Sequence, residues 1–336
     1  MPEPGPQQPR VTVVVPTLAA DDKLTQCLES LDRQTFQDFA TIVVDNSGEL
    51  RLPAHGRLNV IVNSQNVGFG AAVNQAIRGS NSQFIAVLND DAAADPHWLS
   101  ALMAAIESRT DLGMCAPQIR LAGDGRLDSA GMLLCLDGTS KQRGHLESPD
   151  TFSRRDEILL PSGCAAIYRR EMLEEIGLFD ESFFLYCEDT DLGLRARWAA
   201  WDCLYVPDAI VQHHYSHSSG KASALKAYYV ERNRLFLAVK NFPAQDLMLA
   251  PFYSLARYFW HVVYALQGRG KAAEFQREGN SGATLPLYVL RAYLALFARL
   301  PRLFRQRRQV KRRLTSMQFH RLIRSFSIGP RQVAAL

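Results

Sequence analysis

The sequence predicts an α/β protein: a Rossmann-like, mostly parallel sheet with helices on both faces, followed by a helical C-terminal region. Two observations carry this. Uniformly apolar runs recur through the first ninety residues and alternate with segments of helical spacing, the pattern of strands buried on both faces. From Ala222 onward the spacing becomes helical almost throughout. A length of 336 residues, 47% hydrophobic and 21% charged, allows one large domain or two smaller ones with ample core.

The elements follow in order. Residues 1–10, beginning MPEPGPQQP, are expected to be a disordered proline-rich leader. VTVVV (11–15), closed by Pro16, is the first strand, and KLTQCLESLDRQ is a helix with Leu24, Cys27, Leu28 and Leu31 on one face. TIVVD (41–45) is a second strand that ends on Asp45. NVIV (59–62), a helix over roughly 70–78, FIAVL (84–88) and a helix over 96–107 continue the alternation. Residues 110–160 mix short apolar runs with Gly and Asp, and LLPSGCAAIYRREMLEEIGLFD then gives a strand, a turn and a helix. CLYVP (203–207) and AIVQHH (209–214) read as two short extended segments. Three helical stretches complete the chain, the last interrupted at Pro301. The main domain is accordingly expected over 11–243 and the helical region over 244–336.

In such sheets ligands bind beyond the carboxyl ends of the strands. Asp45 and the adjacent Asp90 and Asp91 lie just past strand ends, so they can converge on one crevice. Neighbouring carboxylates repel and need a counter-charge, which Mg2+ or Mn2+ supplies, usually with phosphate oxygens as further ligands. The same pair could equally cap a loop or the helix near Pro96.

EDTDLGLRARW (188–198) is a second acidic cluster at a helix start, where the macrodipole favours negative charge. Asp191 has an ion-pair partner four residues on, in Arg195. Glu188 and Asp189 have none so placed, leaving one of them to accept a proton. VQHHYSHSSGK (211–221) puts His213, His214 and His217 near hydroxyls and Lys221 at a strand end, where imidazole is a normal extra metal ligand. In NVGFGAAVNQAI (66–77), Gly68 and Gly70 precede a helix whose amides could approach an anion, although a plain turn explains them too.

Taken together, VVVPT, VVDNSG, NVGFGAAVN, LNDDA, GLFDESFFLYCEDTDLGLRAR and RNRLFLAVKN resemble, in order, the family 2 glycosyltransferases of the GT-A fold, and among them the bacterial rhamnosyltransferase-like branch. The resemblance implies a donor nucleotide bound by Pro16, Thr17, Asp45, Asn66, Gly68, Asn74, Asn89 and Asp90, with Thr17 and Asp45 at the base and ribose. It implies Asp91 as a ligand of Mn2+ or Mg2+, joined by His213 with His214 as the fallback. Asp189 matches the catalytic base, with Glu188 as its alternative. The implied reaction is inverting transfer of a sugar, with rhamnose from a dTDP donor as the subfamily expectation, or a UDP-linked donor. The acceptor would be a hydroxyl of a glycan or lipid-linked saccharide in bacterial cell-surface polysaccharide synthesis. Three positions depart from the pattern: Ala19 replaces a polar residue, Ala200 stands where glycine usually precedes the tryptophan (Trp201), and Asn89 replaces the first acid of the DxD element. The last leaves the division of labour between Asp90 and Asp91 open.

Charge is unevenly placed. From Ser281 onward there are twelve Lys and Arg and no Asp or Glu, whereas residues 1–280 carry 26 basic against 34 acidic side chains. A basic, amphipathic helical tail fits an anionic membrane surface, with a self-associating helical module as the competing reading. No nucleic-acid partner is expected. The six scattered cysteines form no CxxC pair, and the N-terminus shows no signal-peptide pattern, so the expected location is cytoplasmic, peripheral on the inner membrane face. A sugar-nucleotide pyrophosphorylase would show a Gly-rich, Arg-containing loop where PTLAADDK stands, a processive synthase would need several long apolar spans, and a non-catalytic membrane scaffold would leave the acidic clusters without a role.

Overall fold

The computed structural model describes residues 8–19, 21–49, 57–214 and 223–335. Its first half runs β1 (Val11–Thr17), α1 (Asp22–Asp32), β2 (Phe39–Asp45), β3 (Leu58–Val62), α2 (Phe69–Arg78), β4 (Phe84–Leu88), β5 (Ala92–Ala94) and α3 (Trp98–Ile106). All seven residues of β1 are buried, and alternate side chains feed two cores. Val11, Val13 and Val15 pack with α1 and α3 on one face. Val14 packs with α2 on the other. Asp21 caps α1 by accepting from the Lys23 and Leu24 amides at 2.9 and 3.1 Å.

The chain continues through β6 (Leu112–Leu121), β7 (Leu127–Ser129), β8 (Met132–Leu134), β9 (Ser140–Gln142), β10 (Asp156–Glu157), β11 (Ala165–Arg169), α4 (Arg170–Ile176), α5 (Glu188–Trp198) and β12 (Asp202–His213). The main sheet has the order β10-β12-β6-β11-β4-β1-β2-β3. β1 to β4 are mutually parallel, and β12 is parallel to β6, whereas β11 runs antiparallel between β4 and β6. The order turns back between β1 and β4, and that switch point opens the crevice at their carboxyl ends.

Several expectations change. The first strand does not stop at Pro16 but runs to Thr17; β4 pairs with β1 only as far as Val14, so the proline lies past the doubly paired stretch. Of the residues 1–10 expected to form a leader, 1–7 lie outside the described residues, while the Arg10 amide donates to Asp38 at 3.2 Å and its side chain pairs with Glu107. The two short segments near 203–214 are one strand, β12, with Pro207, Asp208 and Ala209 bulged out between Val206 and Ile210. Beyond the bulge its end pairs with β5, His213 opposite Ala92, which brings the histidine beside Asp91.

The C-terminal region consists of α6 (Ala224–Asn241), α7 (Ala244–Leu266), α8 (Gly270–Arg277), α9 (Leu285–Gln309), α10 (Ser316–Ser325) and α11 (Pro330–Ala335). Contrary to expectation, α9 continues through Pro301, its flanking turns anchored by buried Leu296 and Leu303. Helices α6, α9 and α10 share a core with α5, in which Phe319 stacks on Trp198 with centroids 3.8 Å apart. Among the described residues no helix is long and apolar enough to cross a membrane. All six cysteines are buried and free.

Ala200 adopts φ +63°, which explains why glycine suits this position. Because its side chain is exposed, Ala200→Gly loses no packing and relieves the left-handed penalty. Thermal or denaturant unfolding is expected to show the variant more stable by about 1 kcal/mol; unchanged or lower stability would contradict this.

Candidate active site

A cavity of about 1220 Å³ opens at the carboxyl ends of β1 and β4 and runs on toward the C-terminal helices. Pro16, Thr17, Asn66, Gly68, Asn89, Asp90, Asp91, Glu188, Asp189 and His213 all line it. Two of the expected donor residues do not. The Asp45 carboxylate accepts from the amide and hydroxyl of Ser47, both at 2.7 Å, and its neighbour Asn46 lines the cavity instead. Asn74 is fully buried and bridges α2 to the segment between α4 and α5 through the Phe179 amide and carbonyl (3.0 and 2.9 Å) and Glu181 (3.0 Å). It is a brace between elements, and spacing alone cannot distinguish that from a ligand contact. His217 and Lys221 lie outside the described residues.

One wall is built from the segment after β4. The Thr17 hydroxyl donates to Asp90 Oδ2 at 2.7 Å, tying the end of β1 to this wall. Burial pushes the Asp90 carboxyl up to about 6, against the Thr17 hydrogen bond and with the help of Asp91. His213 Nε2 lies 3.2 Å from Asp91 Oδ1, while its Nδ1 lies 2.7 Å from Asp128 Oδ2. Burial opposes ionising Asp128, but His145 and His213 outweigh it and hold the carboxyl at about 2. Burial likewise opposes a charge on His213, yet Cys164, Asp128 and Asp91 hold its pKa well above the ordinary value. His214 is displaced from this wall: its ring faces Lys23 at 3.4 Å.

Among the described residues no three His, Cys, Asp or Glu side chains form a ready metal cage. The wall nonetheless fits a divalent cation. A ring nitrogen and a carboxylate oxygen of two different residues stand 3.2 Å apart, as two ligands of one ion would, and the other ring nitrogen is oriented by a carboxylate. The remaining positions would fall to phosphate oxygens.

The opposite wall is the start of α5, entered through a strained segment. Phe184, Tyr186 and Cys187 have φ of 65°, 69° and 68°, three left-handed non-glycine residues within four positions. The Asn233 amide holds this segment by donating to the carbonyls of Phe183, Leu185 and Tyr186 at 2.9, 2.8 and 2.8 Å, and Arg232 adds bonds to those of Ser182 and Phe183. Gly68, at φ +88°, sits beneath it, where a Cβ would lie 2.4 Å from the Phe184 carbonyl oxygen. The glycine is thus required for close chain packing, and its own amide is taken by Asn66 Oδ1 at 2.8 Å.

The two acids at the start of α5 differ sharply. Burial pushes Glu188 up to about 8, with Asp189 adding to the shift, and its Oε2 has no hydrogen-bond partner among the described residues. Burial also raises Asp189, but the Gly163 amide (2.8 Å) and the Thr190 amide (2.6 Å) donate to its two oxygens and favour the anion. Asp191 is structural: it pairs with Arg195 at 2.8 Å and Lys240 at 2.9 Å. Asp128, in the aperiodic stretch 110–160, was not found from the sequence; Arg232 and Asn233 open the RNRLFLAVKN motif but had no role assigned to them.

A switch-point crevice with a carboxylate pair on one wall and two further acids on the other defines an α/β enzyme of the GT-A glycosyltransferase type. Comparison with known structures agrees on the fold. The chain superposes with TM-score 0.59 on GalNAc-T7, solved with UDP, GalNAc and Mn2+, at 14% identity over 74% of this chain and about half (51%) of the other. Residues 12–177 match the family described as Glycosyl transferase family 2, and the chain belongs to that family. An N-acetylglucosaminyl-diphospho-decaprenol L-rhamnosyltransferase of Mycobacterium tuberculosis is 29% identical over 68% of this chain and 84% of its own length. A pre-mycofactocin glycosyltransferase of the same species is 26% identical over 68% of this chain and 47% of its own. Family membership sets aside the pyrophosphorylase and scaffold readings.

Proposed function

We propose that this chain is an inverting, cation-dependent glycosyltransferase that moves a sugar from a nucleoside diphosphate to a hydroxyl of a lipid-linked saccharide, with dTDP-rhamnose as the leading donor. One observation carries the reading: the Asp90/Asp91/His213 wall and Asp189 open into a single cavity. Pro16, Thr17, Asn66, Gly68 and Asn89, with Asn46 in place of Asp45, form the nucleotide end. Asp91 and His213 would hold Mn2+ or Mg2+, which when bound offsets charge on the departing diphosphate. The acceptor oxygen forms a bond to the anomeric carbon as that carbon's bond to the diphosphate oxygen breaks, and Asp189 takes the hydroxyl proton. Glu188, neutral at pH 7, is unsuited to that task. The test is a panel of nucleotide sugars with and without Mn2+ or Mg2+, read as donor hydrolysis and thermal stabilisation. One nucleotide sugar is expected to stabilise the protein and be turned over only with the cation; no response to any donor would refute the reading.

The same proposal places the protein on an anionic membrane face. Met248, Phe252, Leu255 and Phe259 are exposed on α7 at alternating spacings of four and three, and Leu287, Leu290, Leu294 and Phe297 show the same kind of spacing on α9 beside its arginines. Phe252 and Phe259 are 68% and 61% exposed. Replacing both with Ser is expected to weaken sedimentation with anionic vesicles by about tenfold or more. Unchanged vesicle binding, or a change confined to oligomeric state, would transfer these stripes to a subunit interface.

A further inference from the structure

The cavity does not end at Asp189. It continues between the β8–β9 hairpin and helices α6 to α9, where three lysines from three separate elements line it: Lys141 of β9, Lys226 of α6 and Lys271 of α8, with Arg257 of α7 beside them. Arg257 is committed to Asp137 and Glu231 at 2.5 and 2.8 Å, and Lys271 pairs with Glu274 at 2.9 Å. Lys226 sits over the Tyr186 ring, 5.6 Å from its centroid. Lys141 has no hydrogen-bond or ion-pair partner among the described residues. Burial, then the charges of Lys271, Lys226 and Arg257, push its ammonium down to about 7. An anion entering the cavity would meet Lys141 as a cation not already engaged, and its charge would favour the protonated amine.

Two contacts fix this cluster beside the proposed base. Ser140, next to Lys141, shares a 3.0 Å hydrogen bond with Thr190, next to Asp189. Tyr186, under Lys226, belongs to the strained segment leading into α5. The helices that bring these lysines together also line the cavity with apolar side chains, Val262 and Leu266 of α7, Phe275 of α8 and Leu285 and Val289 of α9. One cavity therefore holds the proton acceptor, the cations and a hydrocarbon lining.

We infer that this end of the cavity binds the phosphate of a prenyl-phosphate-linked acceptor, with Lys141, Lys226 and Lys271 around the phosphate oxygens and helices α7 to α9 around the first part of the prenyl chain. Its acceptor role rests on the glycosyltransferase reading; the anion site rests on its own residues. Phosphate reaching the lysines from a lipid sets the acceptor hydroxyl toward Asp189, whereas phosphate from a soluble compound would leave the apolar wall without an occupant.

The test is calorimetric titration of the full chain, without divalent cations, with farnesyl diphosphate, farnesol and inorganic pyrophosphate. Farnesyl diphosphate is expected to bind at least about tenfold more tightly than either of the others. Lys141→Met is expected to weaken it by about tenfold or more, as loss of one charge-assisted contact would, and Lys141→Arg to restore it. Lys271→Met, at a less enclosed position, gives the same reading should Lys141→Met unfold, which its melting temperature reports. Equal binding of farnesol, or wild-type affinity in the Met variants, overturns the site. Equal binding of pyrophosphate overturns the lipid as the source of the phosphate. Lysine-dependent prenyl diphosphate binding in a protein that turns over no nucleotide sugar would overturn the transferase reading alone.

Discussion

Asp189→Asn is expected to lower sugar transfer by about 10²–10⁴ while donor binding persists. The substitution keeps the shape of the side chain and an oxygen for the Gly163 or Thr190 amide, so the start of α5 stays in place. What disappears is the basic oxygen that, in the proposed reaction, would receive the acceptor proton. A fall in kcat with the nucleotide-sugar Kd within a few-fold of wild type is the signature. Glu188→Gln serves as the contrast. With its carboxyl raised to about 8 by burial, Glu188 is already neutral at pH 7, and the amide should retain most of the activity. If Asp189→Asn transferred at the normal rate, the proton would have to go elsewhere, and Glu188 would be the next candidate.

Asp91→Ala is expected to abolish both transfer and cation-dependent donor binding, a loss of at least about a hundredfold in affinity. The reasoning is electrostatic. Removing the carboxylate takes the anionic partner away from His213 Nε2, and an imidazole without that charge beside it holds a hard divalent cation weakly. Titration of the donor nucleotide with Mn2+ checks it. Full Mn2+-dependent affinity in Asp91→Ala would move the metal to Asp90, whose side chain is otherwise engaged by Thr17.

The sequence was most legible where a single periodicity decided the structure. Uniform apolar runs became β1, β2 and β4, and the carboxyl ends of β2 and β4 were located correctly, whereas β1 runs two residues further than its apolar run. β6 was not legible: Gly113, Pro117 and Gln118 interrupt its apolar pattern, although pairing on both edges imposes a ten-residue strand. β12 looked like two pieces because Pro207 marks a bulge that only the partner strand reveals. At the site, acids at strand and helix ends signalled their position. Asn74 did not, since a buried amide bracing two elements looks the same in sequence as one that meets a ligand. Asp128 was invisible for the opposite reason, being brought under His213 by the pairing of β7 with β6 across an aperiodic stretch.

The stretch recognised by family similarity stops at residue 177, ahead of α5, β12 and α6. A gene fragment trimmed to that boundary would retain Asp90 and Asp91 but discard Asp189, His213 and the Asn233 amide that clasps the turn before α5. Annotation of shortened open reading frames, and the choice of expression boundaries, should therefore follow the clasp and not the similarity.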